Sequence, residues 1–189
     1  MLFALAQSVA VAYAGGISVY ATIALLGIFE RWGWVNGLGM PLDAARSPWV
    51  IGIAFTCTVV EFLASLVPGV ASAWEAVHSV IRPPAAAALA VLVAWHGDPS
   101  LILAAGLIGG AVGLATHATK LGVRVAIDTS PEPITNLGAS TAELALVASI
   151  MAFVWTHPYA TLAIAFALLA GVWYLARAVW RTMRRAVAA

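Results

Sequence analysis

The sequence predicts an all-α, polytopic membrane bundle of about six transmembrane helices, built as an inverted repeat of two three-helix units. Three observations carry that expectation. Apolar residues fill 63% of the 189 positions and charged residues only 9%, with a mean hydropathy of +0.99. A soluble domain carries about 25% charged residues, so lipid has to cover what polar groups here do not. The apolar residues gather in runs near the roughly 20 residues that cross a bilayer. Finally, the signals of the first half return in the same order in the second.

The first run is Leu2–Phe29. Met1-Leu2-Phe3-Ala4-Leu5 lacks the basic n-region of a signal peptide, and the run continues past the cleavage-like Ala12-Tyr13-Ala14, so it reads as a retained span. Pro48–Val67 is the second. In Val70–Ile81, Val70, Trp74, Val77 and Ile81 recur at helical spacing while Glu75, Ser79 and Arg82 face elsewhere. That pattern predicts an interfacial helix over about 70–82, entering a short span, Pro84–Trp95, at Pro83-Pro84. Ser100–Ile127, Leu137–Trp155 and Tyr159–Val179 complete the set. The units are then 1–96 and 97–183, with a tail at 184–189. Thr129–Gly138 reads either as re-entrant backbone or as a cytoplasmic loop with Asn136 capping a helix.

Six spans place Arg82, Lys120, Arg124, Arg177, Arg181, Arg184 and Arg185 on one side, against Arg31 and Arg46 on the other. Cationic residues concentrate in the cytoplasm, so both termini are expected there, in a bacterial inner membrane.

The repeat pairs Gly16-Ile17-Ser18-Val19-Tyr20-Ala21-Thr22, Ser47-Pro48 and Glu61 with Gly113-Leu114-Ala115-Thr116-His117-Ala118-Thr119, Ser130-Pro131 and Glu143. Three spans per unit would invert the second copy in the membrane, an architecture common in transporters. A helix advances about 1.5 Å per residue, so Glu61 is expected past the midplane toward the cytoplasm. Its inverted mate Glu143 is expected past it toward the outside.

Carboxylates in such segments are costly and by default functional, and buried carboxyls suit proton uptake and release. Glu61 and Glu143 therefore head the expected substrate or ion pathway, together with His117, Lys120, Tyr20 (the repeat mate of His117) and Asn136. Glu75, His78, Arg82 and Arg124 are expected at the cytoplasmic interface. The competing structural role for either acid is a helix–helix hydrogen bond or a pair with Lys120 or Arg124.

Other chemistry finds little footing. Glu75-x-x-His78 has the spacing of carboxylate-bridged metal sites, but those need two such motifs and further glutamates. No metal and no cofactor is expected, haem included. Glu75, His78 and Arg82 are a candidate set for a lipid-modifying enzyme but lack a nucleophile, so no enzymatic activity is expected. A net charge of +1 gives no reason for a nucleic-acid partner. The lone Cys57 excludes an intrachain disulfide framework. Gly109 and Gly113 form a G-x-x-x-G that suits close helix packing. Membrane lipids, further copies of the chain or a larger membrane complex are the expected partners.

Glu61-Phe62, Pro68-Gly69, Trp74-Glu75-Ala76-Val77-His78 and Ile81-Arg82-Pro83, then Ser130-Pro131 and Ser140-Thr141-Ala142-Glu143, resemble the bacterial integral membrane family called domain of unknown function 4126. Gly16, Tyr20-Ala21-Thr22 and Arg124 also fit. The resemblance implies a multi-span membrane protein and brings no activity with it. The family pattern tends to an Asp-Lys pair where Ala64-Ser65 stand, to Asp where Ser72 and Leu144 stand, and to Asp where Glu75 stands. The expectation is thus a small transporter or channel with paired intramembrane glutamates, proton- or cation-linked. The alternative is a non-catalytic accessory subunit of a larger membrane complex, which the lost charges would suit.

Overall fold

The computed structural model describes residues 1–35, 41–67, 69–128 and 133–187. Among these residues every regular element is helical: α1 (Leu2–Ile17), α2 (Val19–Arg31), α3 (Pro48–Ser65), α4 (Val70–Val93), α5 (Pro99–Asp128), α6 (Pro133–Phe153) and α7 (Pro158–Val187), with a short 3-10 turn at Leu42–Arg46. Four described segments are long and apolar enough to cross a membrane: Pro48–Ser65, Val70–Val93, Pro99–Ile127 and Ile134–Phe153. The apolar helices Leu2–Ile17 and Pro158–Tyr174 are shorter.

The expected first span is two helices. Ser18 is extended (φ −150°, ψ 105°) and its Oγ accepts the N–H of Ala21 at 3.3 Å. Serine competes well with the backbone for such hydrogen bonds, which is why it favours caps over helix interiors. In a continuous helix Ala21 N–H would bond Ile17 C=O, so the break leaves that carbonyl without its helical donor.

The interfacial helix and short span, expected to join as one kinked element, form one helix with no new start at Pro83-Pro84. α4 runs through Pro83 and Pro84 without ending. Each proline removes one helical donor, and neighbouring helices make that tolerable in a membrane bundle. The polar face bearing Glu75, His78 and Arg82 thus belongs to a helix itself long enough to span. Thr129–Gly138 is likewise resolved in part: α6 begins at Pro133, a residue suited to the first helical position, so 133–138 is regular helix and 129–132 lies outside the described residues. The tail is helical to Val187.

α1 forms the centre. It is buried all round from Val9 to Ile17, as a helix enclosed by other helices should be. Small residues let its neighbours close on it. A Cβ at Gly16 would lie 2.7 Å from Gly113 C=O and 2.9 Å from Thr116 Cβ; one at Gly15 would lie 3.1 Å from Leu89 Cδ1. A Cβ at Gly109 or Gly113 would run into Ala90 or Ala86 of α4. The G-x-x-x-G of α5 is therefore spent on internal packing against α4 and α1, where van der Waals contact drives association in lipid. At the start of α5, Asp98 Oδ1 accepts from Ser100 Oγ and, at 3.1 Å, from Leu101 N–H. Those bonds, Ser100's first, hold its carboxyl below the usual aspartate range.

Gly113→Val should cost about 1–3 kcal/mol as an overpacking substitution, read as a lower unfolding midpoint in detergent. Gly52→Ala, with nothing within 4 Å of a new Cβ, should leave the midpoint at or above that of the parent.

Candidate functional site

Polar faces of four helices and the break between α1 and α2 converge on one buried cluster. α3 contributes Glu61 and Ser65; α4 contributes Glu75, His78, Ser79 and Arg82; α5 contributes His117, Lys120 and Arg124; α6 contributes Asn136, Ser140 and Glu143. Each set recurs at three, four or seven residues, so each occupies one helix face. The fifth contribution is the α1–α2 break, with Ser18 and the Ile17 carbonyl.

Lys120 is the hub. Its Nζ lies 3.0 Å from Glu61 Oε1, 3.0 Å from Glu75 Oε1, 3.1 Å from Glu143 Oε2 and 2.8 Å from the freed Ile17 C=O. Arg82 reaches both α3 and its own helix, pairing with Glu61 and donating through two nitrogens to Glu75. Arg124 forks onto Glu143, Nε to Oε1 at 3.0 Å and Nη2 to Oε2 at 2.8 Å, and also donates to Ser140 Oγ at 3.0 Å. Three acids thus meet three bases, and their formal charges cancel. Ser18 Oγ completes Glu61 by donating to Oε2 at 2.7 Å.

The two histidines have fixed roles. The Arg82 guanidinium, a donor at every accessible pH, lies 3.1 Å from His117 Nδ1. Nδ1 therefore accepts, and Nε2–H donates to Ser79 Oγ at 2.8 Å; Glu75 Oε2 stands farther from Nδ1, at 3.7 Å. His78 Nδ1 donates to Trp74 C=O at 2.8 Å, so its Nε2 accepts from Tyr20 OH at 3.2 Å. Trp74 stacks on the His78 ring with centroids 4.6 Å apart.

Between α3 and α6 lies a cavity of about 10 Å³, about the room one water needs. Its two walls match: Thr58, Glu61 and Phe62 on α3 face Ser140, Glu143 and Leu144 on α6, with Lys120 and Ser18 at its base. Glu143 is the most open of the ion-paired groups, its side chain 20% exposed against 7% for Glu61.

A family model described as "Domain of unknown function (DUF4126)" matches residues 5–178. The chain belongs to the DUF4126 family. No curated protein and no solved structure matches it. Ser65 and Leu144 also line the cavity.

The geometry revises several expectations. Glu61 and Glu143 share one ammonium, so they lie side by side and not at separated depths. Glu75, Arg82 and Arg124, expected at the interface apart from the pathway residues, join Glu61, Lys120 and Glu143 directly; His78 is buried beside Tyr20. Arg82, Lys120 and Arg124 are thus not loop cations, and the charge bias across the loops rests on Arg177, Arg181, Arg184 and Arg185. Asn136 is buried on the α6 face of the cluster. Among the described residues no group of His, Cys, Asp or Glu is arranged to hold a metal. Ser18, Thr58, Ser65, Ser79 and Ser140 were not among the expected site residues. The signal for most of them was spacing: Thr58, Glu61 and Ser65 share one face, as do Asn136, Ser140 and Glu143.

Removing one partner of a buried ionic network leaves an uncompensated charge and costs about 3–5 kcal/mol. Lys120→Met should lower stability by that order. The double variant Lys120→Met/Glu61→Gln, which restores the balance of two acids and two bases, should be more stable than the single one. Chemical unfolding of both in the same detergent checks the sign.

Proposed function

We propose that the protein is a small membrane transporter or channel in which Glu61 and Glu143 bind and release protons or cations at the α3–α6 seam. The observation that carries this reading is the cavity with matched walls inside a largely buried ionic cluster that is most open at Glu143. Six ionised side chains in a lipid-embedded bundle are expensive, and a well-packed apolar core holds helices together without them. A cluster that balances its charges, yet keeps its most open acid at a water-sized cavity, suits a closed state of a polar path.

The membrane arrangement belongs to the same reading. The broken α1–α2 pair and α7 act as the fifth and sixth spans, in inverted units meeting at the cluster. Two features support it. Gly16 packs on its repeat mate Gly113, and Thr58-x-x-Glu61-Phe62 faces Ser140-x-x-Glu143-Leu144 across the cavity. Equivalent residues meet in this way where a pseudo-two-fold axis passes. A discontinuous helix whose free carbonyl end faces a cation is a recurrent transporter device, and here Ile17 C=O faces the Lys120 ammonium. Protonation of Glu143, or its exchange onto another cation, frees Lys120 and Arg124 and loosens the seam. We place both termini in the cytoplasm of a bacterial inner membrane, supported by the basic end of α7.

Proteoliposomes carrying the purified protein should dissipate an imposed proton gradient faster than empty liposomes, read with an entrapped pH dye. Glu61→Gln and Glu143→Gln should each slow this by about tenfold or more, the scale of losing a charged partner in a buried site. Equal rates for protein-containing and empty liposomes under proton and monovalent-cation gradients would leave the cluster as a scaffold.

A further inference from the structure

The hydrogen-bond ledger of the cluster is lopsided. Every carboxylate oxygen of Glu61, Glu75 and Glu143 that is buried has a partner, whereas Arg82 Nε, Arg124 Nη1 and both Nδ2 and Oδ1 of Asn136 have none. Arg124 and Asn136 are both 0% exposed. Buried polar groups are nearly always partnered, and each exception calls for an explanation such as a missing ligand. What this cluster lacks is chiefly an acceptor.

Two of the unpartnered groups are neighbours. Arg124 Nη2 donates to Ser140 Oγ at 3.0 Å, and Ser140 Oγ donates to Asn136 C=O one turn earlier, at 2.8 Å. Arg124 and Asn136 therefore flank the same stretch of α6. In the guanidinium fork, Nε and Nη2 are taken by Glu143 and Ser140, which leaves the Nη1 end bare. Asn136 is in the first turn of α6, whose opening N–H groups and dipole favour negative charge.

We propose that Arg124 of α5 and Asn136 of α6 bind a phosphate group between the Arg124 Nη1 and the Asn136 carboxamide. The phosphate oxygens accept from Nη1 and from Nδ2, and a hydroxyl of the ligand, on hydrogen phosphate itself or on a headgroup glycerol, donates to Oδ1. Arg124 has charge to offer because Glu143 is shared: its Oε2 lies 2.8 Å from Arg124 Nη2 and 3.1 Å from Lys120 Nζ. As Glu143 leans toward Lys120, Arg124 is freed for the ligand. As a substrate site this deepens the transport reading and rests on it for its purpose, while the binding itself is measurable without transport. A soluble anion and a lipid headgroup offer the same chemistry.

The test is thermal unfolding of the full chain in maltoside micelles, a phosphate-free detergent, at fixed ionic strength. Inorganic phosphate is titrated in one arm and phosphatidylglycerol in the other. The wild-type midpoint should rise with at least one probe. A rise with inorganic phosphate identifies a soluble oxyanion, and a rise with phosphatidylglycerol alone identifies a headgroup. Asn136→Leu removes two unpartnered atoms, so without either probe it should melt at or above wild type, and it should bind the active probe about tenfold more weakly. Three results overturn the site: no rise with either probe, unchanged affinity in Asn136→Leu, or a midpoint for Asn136→Leu well below wild type without probe, which would make Asn136 a structural anchor. Binding without proton or monovalent-cation flux removes the transport reading alone; flux without binding removes this site alone.

Discussion

The ammonium of Lys120 draws Glu61 of α3, Glu75 of α4 and Glu143 of α6 to the end of α1, and much of the helix arrangement follows from that demand. An ammonium has three donors, and four oxygens surround this one. The fourth, Ile17 C=O, is free only because Ser18 takes the Ala21 N–H for itself. The break in the first apolar run and the ionic cluster are therefore one feature. The close approach of α1, α4 and α5 over glycine and alanine brings Lys120 within reach of that carbonyl.

Burial sets the terms on which the cluster exists. Moving each ion out of water costs several kcal/mol after relaxation, and cancelling charges with saturated carboxylates offsets much of it. The same balance makes the network brittle: withdrawing one member exposes the rest. Glu143 is the natural point of entry, being the most open acid and the only one held by both Lys120 and Arg124. On the proposed transport reading, opening at this one residue would make the network a gate; without it, the network is a strut.

Much of this was legible in the sequence. The two lone acids in apolar spans marked Glu61 and Glu143, and Lys120 and Arg124 were legible as the cations either acid could pair with. The errors have physical causes. Glu75, His78 and Arg82 form a polar stripe on an apolar helix, and periodicity cannot tell whether such a stripe faces headgroups or the interior of a bundle. Pro83-Pro84 tipped the reading toward a helix start, although a surrounded helix tolerates missing donors. Ser18 was invisible because a serine in an apolar run caps a helix only when something nearby, here Lys120, uses the carbonyl it releases. Glu61 and Glu143 were placed at different depths by counting residues from Pro48 and Ser130, which ignores how the helices stagger; their shared ammonium overrides the count.

The central claim is that this ionic cluster is the closed state of a polar path along the α3–α6 seam. Accessibility at Thr58, which lines the cavity, tests it most directly. In a Cys57→Ala background, Thr58→Cys is exposed to a membrane-impermeant thiol reagent added to either side of sealed vesicles. The account predicts slow labelling, faster once Glu143→Gln loosens the seam. A thiol that stays unreactive from both sides, with and without Glu143→Gln, would contradict it and leave the cluster as a dry brace between helices.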